Sequence, residues 1–208
     1  EAEGRFDIIY SFEKWQYNKL KSIYGQECIE IMKSYKQTPA LSVRVNKLKY
    51  SEEEFLKYLS DKNIEILYRY ETVFYINSGE VLNSELFSSG KIIVQDASSY
   101  IAAKLLKPNH GSKVLDACAA PGSKTALLAE IMENAGRVYA FDIYEHKINL
   151  IKENRDKIGA DIIEPVLFDA TKAAEYFGDD KLDFVLADVP CSGFGVIRKK
   201  PEVIYTKR

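Results

Sequence analysis

Apolar residues recur at the spacing of amphipathic helices across residues 12–37, with lysine and glutamate between them. Gly25 interrupts this pattern, so the spacing predicts two helices that break near the glycine. Pro39 ends the region. We interpret residues 1–37 as a helical linker region.

A second pattern follows, in which strands are mixed with short helices. Residues 41–47 alternate apolar and polar positions, which is typical of a strand, and Ser51 followed by three glutamates predicts the start of a helix. Further strand-like runs at 64–69 and 72–77 and a short helix lead to a last strand at 91–95. This pattern predicts a small α+β domain over residues 38–95.

Strands and helices alternate regularly from residue 96 onwards. After a helix at residues 97–106, the pattern predicts strands at 113–117, 137–141, 162–167 and 182–187, with helices between them. Such alternation is typical of a parallel, doubly wound α/β sheet, which we expect over residues 96–208.

Composition narrows the class of protein. Of the 208 residues, 46% are hydrophobic and 29% are charged, which is typical of a globular protein. The net charge of -2 excludes a uniformly basic nucleic-acid coat but is compatible with a local basic patch. Three cysteines, an odd number, favour a reducing compartment over a disulfide framework, so we expect a cytoplasmic protein.

The sequence lacks the patterns typical of membrane-spanning, secreted and metal-binding proteins. It has no run of 18 apolar residues, no basic start followed by an apolar stretch, and no close cluster of cysteine and histidine. We therefore expect no membrane span, no secretory signal and no bound metal, and we expect a monomer. The first residue is not methionine and the last residues show no stop signal, so we expect a chain cut at both ends.

A candidate ligand site follows the first strand of the predicted sheet. The segment V-L-D-A leads directly into C-A-A-P-G-S-K-T at residues 118–125. A strand, a turn of small residues and a helix start form the ligand-facing corner of doubly wound folds, where helix N–H groups are unpaired and Ser123 could cap the helix. The glycine spacing excludes a Walker A motif. An ordinary strand-to-helix turn is the alternative.

Two acidic residues close the next two strands. Asp142 ends R-V-Y-A-F-D about 20 residues after Gly122, a spacing at which a carboxylate accepts hydrogen bonds from ribose. Asp169 follows the third strand and could reach an adenine amino group. The alternative for each is a helix N-cap. Together they indicate a nucleoside, either in a dinucleotide or in S-adenosylmethionine, and the single glycine disfavours the dinucleotide.

A second candidate site is the segment D-V-P-C-S-G after the fourth strand. Asp188 and the thiol of Cys191 are three residues apart on a loop stiffened by proline. This pair suits pyrimidine chemistry, because a thiolate can add to carbon 6 of cytosine while an acid bound to ring nitrogen 3 stabilises the product. The alternative is an inert buried thiol.

A cationic run follows the same loop. Gly193 and Gly195 precede three consecutive cations, Arg198, Lys199 and Lys200. A flexible loop with three cations suits a phosphate backbone, and a solvated charged face is the alternative.

These motifs, in this order, resemble those of the RNA 5-methylcytosine methyltransferases, in particular the bacterial ribosomal RNA small subunit methyltransferase B group. The similar segments are C-A-A-P-G-S-K-T, F-D-I, F-D-A and D-V-P-C-S-G-F-G-V-I-R-K-K-P-E. Upstream, Y-S-F-E-K-W, L-S-V-R-V-N-K-L and V-Q-D-A-S-S resemble the segment that precedes the catalytic domain in that group. The resemblance therefore covers most of the chain, from about residue 10 onwards.

The resemblance implies a Rossmann-like class I methyltransferase fold after a small domain similar to RNA-recognition domains. It implies methylation of carbon 5 of a cytosine in small-subunit ribosomal RNA, with S-adenosylmethionine as the cofactor. The cofactor-binding residues implied are Cys118, Ala119, Ala120, Pro121, Gly122, Ser123, Lys124, Asp142, Asp169 and Asp188. It also assigns the cytosine ring contact to Asp188, release of the covalent adduct to Cys191, and RNA contacts to Arg198, Lys199 and Lys200.

The sequence departs from the family in two places. Ser123 stands where the family usually has glycine, and the later Thr-Cys motif that supplies the nucleophile does not occur in these residues. We therefore expect residues 96–208 to be the amino-terminal part of a catalytic domain, inactive by itself.

Parts of the sequence are also compatible with three other functions. An NAD-dependent oxidoreductase would use Asp142 but lacks the triple glycine. A non-catalytic RNA-binding module could retain the cofactor fold. An amino-methyltransferase would have an aromatic residue after Pro190 instead of Cys191.

Overall fold

The computed structural model describes residues 4–206 of the chain, apart from the side chain of Thr206. It contains two compact units: one combines Glu1–Pro39 with Pro190–Arg208, and the other is Ala40–Val189. The helices are α1 Phe6–Ile9, α2 Lys14–Tyr24, α3 Cys28–Ser34, α4 Glu52–Asp61, α5 Glu85–Ser88, α6 Ala97–Lys104, α7 Ser123–Ile131, α8 Glu145–Ile158, α9 Ala173–Phe177 and α10 Val203–Thr206. The strands are β1 Leu41–Val45, β2 Ile66–Tyr70, β3 Val73–Ile76, β4 Ile92–Val94, β5 Lys113–Asp116, β6 Arg137–Asp142, β7 Ile163–Leu167 and β8 Phe184–Leu186.

The unit Ala40–Val189 begins with a four-stranded antiparallel sheet in the order β2-β3-β1-β4. Its elements run β-α-β-β-α-β along the chain, which is the ferredoxin-like arrangement. The predicted helix start at Ser51 is confirmed, because Ser51 Oγ accepts a hydrogen bond from Glu54 N and the Glu54 side chain returns one to Ser51 N. The small α+β domain expected from the sequence is thus present.

Both faces of strand β1 are buried. Val43 and Val45 lie in an apolar core with Phe55, Leu59 and Phe74, on the side of helix α4. Ser42 and Arg44, which point to the other face, are also buried, at 1% and 0% exposure. Alternation usually leaves the polar face of an antiparallel strand in water. Here that face is covered by the rest of the same unit.

A buried ion pair joins the ferredoxin-like domain to helix α7. Arg44 Nη1 lies 2.5 Å from Glu130 Oε2, and the two side chains are 0% and 9% exposed. Glu130 also accepts a hydrogen bond from Lys47 N, and Gln95 Oε1 accepts one from Arg44 Nε. Gln95 in turn donates to Ser123 O, at the start of α7. The Arg44 guanidinium is therefore bonded both to Gln95 at the end of the ferredoxin-like domain and to Glu130 of helix α7.

A second set of contacts joins the same domain to the end of helix α8. Asn46 Nδ2 donates to Gly90 O and to Ile158 O, at 2.8 and 2.9 Å. Gly90 has a φ of +73°, and a Cβ at this position would overlap the Lys157 carbonyl. Glycine is therefore required here both by its backbone conformation and by the close approach of α8.

The second sheet of this unit is parallel, with the strand order β7-β6-β5-β8. Helices follow its strands as the alternating pattern predicted, and each observed strand lies within two residues of its predicted bounds. Strands β5 and β6 and helices α7 and α8 share one apolar core, which includes Val114, Leu127, Val138 and Ile151. This is the doubly wound α/β fold expected from the sequence.

The other unit is helical and has its own apolar core. Phe12, Leu20 and Met32 from the amino-terminal helices pack with Ile197 and Ile204, which lie beyond the parallel sheet in the sequence. Gln16 is fully buried, accepts a hydrogen bond from Glu13 N and donates one to Ile204 O. The break near Gly25 is confirmed as a 3-10 turn, Gly25–Glu27, between α2 and α3.

In the described part of the chain, no helix has the length and apolar character needed to cross a membrane. Within residues 4–206 there is likewise no group of three or more histidine, cysteine, aspartate or glutamate side chains arranged to hold a metal ion.

Removing Arg44 should destabilise the protein strongly, because it leaves the Glu130 carboxylate buried without its partner. We expect Arg44→Met to lower the free energy of unfolding by about 3–5 kcal/mol. Adding Glu130→Gln to that variant should recover part of the loss, since the stranded charge is then gone. Urea denaturation of the wild type, both single variants and the double variant measures the coupling. If the double variant loses the sum of the stabilities that the two single variants lose, the two side chains are not coupled.

Candidate active site

Acidic side chains follow four neighbouring parallel strands at the same edge of the sheet. Asp116 ends β5, Asp142 ends β6, and Asp169 and Asp188 follow β7 and β8 by two residues. The strand order reverses between β5 and β8, because the chain first adds strands on one side of β5 and then crosses to the other. Ligands of doubly wound folds bind at this switch point, beyond the carboxyl ends of the strands.

The turn between β5 and α7 has the backbone geometry that its small residues predict. Gly122 is the N-cap of α7 and has a φ of +103°, where glycine is favoured. Ala119 N donates to Phe141 O at 2.9 Å, which ties the turn to the end of β6. Asn154 Nδ2 donates to Pro121 O at 2.7 Å, so α8 also supports the turn. Ser123, considered as a cap from the sequence, is instead the first residue of the helix.

Asp116 is a site residue that none of the sequence motifs indicated. Its carboxylate is 1% exposed and accepts a hydrogen bond of 2.7 Å from the Thr125 hydroxyl. Burial raises the pKa of Asp116 from 3.8 to about 6, although the Thr125 hydrogen bond lowers it in part. The available signal was an acid at the end of an apolar strand, directly before a turn of small residues.

Cys118 lies beside these carboxylates. Burial raises the pKa of its thiol, and the negative charges of Asp116 and Asp142 raise it further. A thiol in such surroundings stays protonated at neutral pH and is a poor nucleophile. Cys118 is therefore part of the wall of the site.

Asp142 combines a turn contact with an ion pair. One carboxylate oxygen accepts a hydrogen bond from Tyr144 N at 3.2 Å, and the other lies 3.4 Å from Lys147 Nζ. Because Tyr144 is the N-cap of α8, this hydrogen bond supports the alternative interpretation of Asp142, in which its side chain stabilises the start of a helix. Lys147, in the first turn of α8, was not predicted from the sequence.

Asp169 caps the start of the 3-10 turn that follows it, Ala170–Lys172, which agrees with the alternative interpretation of this residue as a helix N-cap. Its carboxylate accepts hydrogen bonds from the hydroxyl and the backbone N–H of Thr171, at 2.7 and 2.9 Å. The side-chain hydrogen bond from Thr171 lowers the pKa of Asp169. Contact with an adenine amino group stays a prediction.

The structure pairs two residues that the sequence placed in separate motifs. Lys124 Nζ, from the first turn of α7, lies 2.5 Å from an oxygen of Asp188. The lysine side chain is 20% exposed and the aspartate 53% exposed. The charge of Asp188 also raises the pKa values of Asp116 and Cys118, so the loop after β8 and the turn after β5 meet at one place.

A cavity of about 200 Å3 lies behind the turn, between α7, α8 and the ferredoxin-like domain. Pro121, Gly122 and Ser123 line it together with Phe87 and residues 92–94. Its other lining residues are Ala126, Asn154, Lys157 and Ile158. The acidic strand-end residues lie outside this lining, so the cavity is separate from the crevice that they form.

Cys191 and the cationic run belong to the helical unit. Cys191 is exposed, which is contrary to the alternative of an inert buried thiol. A 3-10 turn, Phe194–Val196, follows it, and Arg198, Lys199 and Lys200 are exposed beyond that turn. Ile197, in the middle of this segment, is 1% exposed and fixes it to the core of the helical unit.

The parallel sheet, its switch point and the glycine turn define a Rossmann-like domain with a ligand crevice at the carboxyl ends of its strands. The family model described as 16S rRNA methyltransferase RsmB/F matches residues 103–208. A second family model, described as the RsmF/B-like ferredoxin-like domain, matches residues 12–73. The chain belongs to the RsmB/F family of 16S rRNA methyltransferases. The family resemblance and the fold class expected from the sequence are confirmed.

Individual relatives agree with the family models. The probable ribosomal RNA small subunit methyltransferase B of Bacillus subtilis is 39% identical over 201 residues, which cover 95% of this chain and 45% of that protein. The crystal structure of PH0851 matches with a TM-score of 0.92 at 36% identity, over 98% of this chain and 47% of that one. A methyltransferase homolog from Pyrococcus horikoshii matches with a TM-score of 0.84 at 27% identity, over 93% of this chain and 64% of that one.

The chain thus spans about half the length of the curated relatives that it matches. Membership of a methyltransferase family supports S-adenosylmethionine, the cofactor expected from the sequence.

Replacing Asp116 with asparagine should change how stability depends on pH. The folded pKa is raised, so the native state binds the proton more tightly than the unfolded chain does between about pH 4 and pH 6. Stability from this group is therefore fully present below pH 4 and is lost as the pH rises toward 6. As the pH rises from 4 to 6, the free energy of unfolding of Asp116→Asn should therefore rise by roughly 1–3 kcal/mol relative to that of the wild type. Urea denaturation at several pH values measures this difference. A difference that does not vary with pH would contradict this assignment.

Proposed function

We propose that the natural protein transfers a methyl group from S-adenosylmethionine to carbon 5 of a cytosine in small-subunit ribosomal RNA. The observation that carries this proposal is the ion pair between Lys124 of the cofactor turn and Asp188 of the D-V-P-C-S-G loop. It brings the residue expected to contact the base to the turn expected to hold the methyl donor. An enzyme acting on ribosomal RNA would work in the cytoplasm, which agrees with the reducing compartment that the three cysteines favour.

The charges at the switch point favour this cofactor over a dinucleotide. Asp116, Asp142 and Asp188 are near Cys118, and the cations beside them, Lys124 and Lys147, are each paired with an aspartate. A pyrophosphate would bring negative charge next to these carboxylates, whereas the sulfonium of S-adenosylmethionine is positive. This difference argues against the oxidoreductase alternative.

Asp142 is the residue proposed to hold the ribose. Its carboxylate is 7% exposed and fixed by the Tyr144 and Lys147 contacts, so its oxygens are held in one orientation at the end of β6. A fixed carboxylate accepts ribose hydroxyls with little loss of side-chain freedom. The turn 118–124 would hold the remainder of the cofactor, with the first N–H groups of α7 directed toward it.

Asp188 is the residue proposed to contact the cytosine ring. Its ion pair with Lys124 limits the positions that the carboxylate can take on an otherwise exposed loop. A carboxyl group hydrogen-bonded to ring nitrogen 3 stabilises the electron density that reaches the ring when a thiolate adds to carbon 6. The bound cofactor supplies the methyl group that carbon 5 then accepts.

Two cysteines would take part in this reaction, as the family resemblance implies. Cys191 is proposed to assist release of the adduct, and its exposure makes it accessible to an RNA substrate. The nucleophile is expected in a Thr-Cys motif, which these 208 residues lack. For the chain taken by itself, this favours the second candidate, a module that binds cofactor and RNA without catalysis.

Replacing Asp142 with alanine should weaken cofactor binding, because charge-assisted hydrogen bonds to the ribose are lost. We expect a loss of about 1–3 kcal/mol in titration calorimetry with S-adenosylmethionine. Asp161→Ala is the matched control, since this exposed aspartate precedes β7 at the opposite edge of the sheet. Equal affinities of both variants and the wild type would refute the ribose assignment, and tighter binding of NAD would favour the oxidoreductase.

The 208-residue chain should form no covalent adduct with RNA that contains 5-fluorocytosine, because the proposed nucleophile is missing. In the natural protein the same RNA should give an adduct, and Cys191→Ala should accumulate one with unmodified RNA, since release is blocked. Denaturing gel electrophoresis detects both species. Adduct formation by the 208 residues would assign the nucleophile to Cys191, and free turnover of Cys191→Ala would remove that thiol from the mechanism.

A further inference from the structure

The face that an RNA-recognition domain uses for RNA is already occupied in this protein. Such domains stack bases on aromatic side chains of an open sheet face. Here that face of the ferredoxin-like sheet packs inside the unit Ala40–Val189. Tyr75 Oη accepts a hydrogen bond from Ala97 N at 3.1 Å, Tyr70 packs edge-to-face on Tyr100, and Arg44 is buried against α7. Stacking of RNA bases therefore needs another surface.

The charges of the chain are divided unevenly between its two units. Residues 1–39 and 190–208 contain eleven lysine and arginine residues against seven aspartate and glutamate residues, whereas residues 40–189 contain eighteen against twenty-four. The helical unit is therefore net positive in a chain that is net negative as a whole. A polyanion such as RNA is attracted to the helical unit.

An aromatic pair with one exposed ring, Trp15, and one partly buried ring, Phe194, lies on that positive unit. The Trp15 and Phe194 rings are 6.1 Å apart at their centroids, inclined by 64°, and Trp15 is 49% exposed. Lys14 precedes Trp15, and Lys19 follows it by four residues on the same side of α2. Arg198 follows Phe194 by four residues and begins the cationic run. We call Trp15, Phe194, Arg198, Lys199 and Lys200 the aromatic–cationic patch.

The backbone below this patch is held firmly. Gln16, next to Trp15, is fully buried and joins α2 to Ile204 O. The N–H groups of Lys199 and Lys200 both donate to Val196 O, at 2.9 and 2.8 Å, so the cationic run starts from a closed turn. A surface arranged before binding loses little conformational entropy when a ligand is added.

We propose that Trp15, supported by Phe194, stacks on an unpaired base of the RNA substrate, while Arg198, Lys199 and Lys200 contact the adjacent phosphates. The ligand is a single strand, because an aromatic face can reach only a base that is not enclosed in a duplex. The proposal rests on the proposed function for the identity of the polyanion as RNA. Beyond that function, the proposal names Trp15 as the residue that holds the RNA strand near the loop that contains Cys191.

The 208-residue chain allows a direct test, because Trp15 is its one tryptophan. A single-stranded RNA of about twelve nucleotides should quench the Trp15 fluorescence as it binds, and the same RNA in a duplex should not. Trp15→Leu, which keeps an apolar side chain on the helix, should weaken binding of the single strand about tenfold. Its plot of affinity against salt should keep the wild-type slope, because no charge has been removed.

Two control variants separate stacking from charge and from the other exposed ring. Replacing Arg198, Lys199 and Lys200 with glutamine should flatten the salt dependence while fluorescence quenching persists. Tyr68→Leu, at the 58%-exposed tyrosine on the edge strand β2, should leave RNA affinity unchanged. Circular dichroism of each variant checks its fold.

Several results would overturn the proposal: RNA binding without quenching, equal affinity of Trp15→Leu and the wild type, equal loss of single-strand and duplex binding, or no RNA binding at all. A larger loss of RNA affinity in Tyr68→Leu than in Trp15→Leu would assign base stacking to the ferredoxin-like sheet instead. Calorimetry with S-adenosylmethionine on the same preparation reports on the proposed function separately. If the cofactor binds and Trp15 does not respond to RNA, the patch fails and the methyltransferase assignment stands.

Discussion

The charge of Arg44 is the constraint on which the unit Ala40–Val189 depends. A guanidinium that is wholly buried requires charged and hydrogen-bonding partners, and it finds them in Glu130 and Gln95. Glu130 lies in the helix that begins at the glycine turn, and Gln95 also bonds to Ser123, the first residue of that helix. The small domain thus fixes the helix whose amino-terminal end faces the switch point. It supports the site without contributing a residue to it.

The site itself is a concentration of negative charge that the protein stabilises locally. Thr125 supports Asp116, Lys147 supports Asp142, Thr171 supports Asp169 and Lys124 supports Asp188. Each carboxylate therefore has its own partner on the helix or turn that follows a strand. This arrangement keeps the acids close together, and it leaves a crevice that suits a cation better than an anion.

Much of the fold could be predicted because its signals are local. The alternation of strands and helices, the capping box at Ser51, the glycine turn and the strand-end acids Asp142 and Asp169 all depend on residues close together in the sequence. Asp116 was passed over because it lies inside the predicted strand 113–117 and not after it, and the Arg44–Glu130 and Lys124–Asp188 pairs join residues 86 and 64 positions apart. No local pattern predicts such pairs, since they depend on how distant elements pack.

The packing of Gln16 against Ile204 has a consequence for synthesis of the protein. Helices α2 and α3 leave the ribosome well before the residues that complete their apolar core, Ile197 and Ile204, which follow them by more than 160 residues. Until then Phe12, Leu20 and Met32 lack the contacts that Ile197 and Ile204 provide, while the ferredoxin-like and parallel sheets, which lie between these segments in the sequence, can already form. This segment is thus made early and buried late, and during that interval its apolar side chains are open to chaperones and to aggregation.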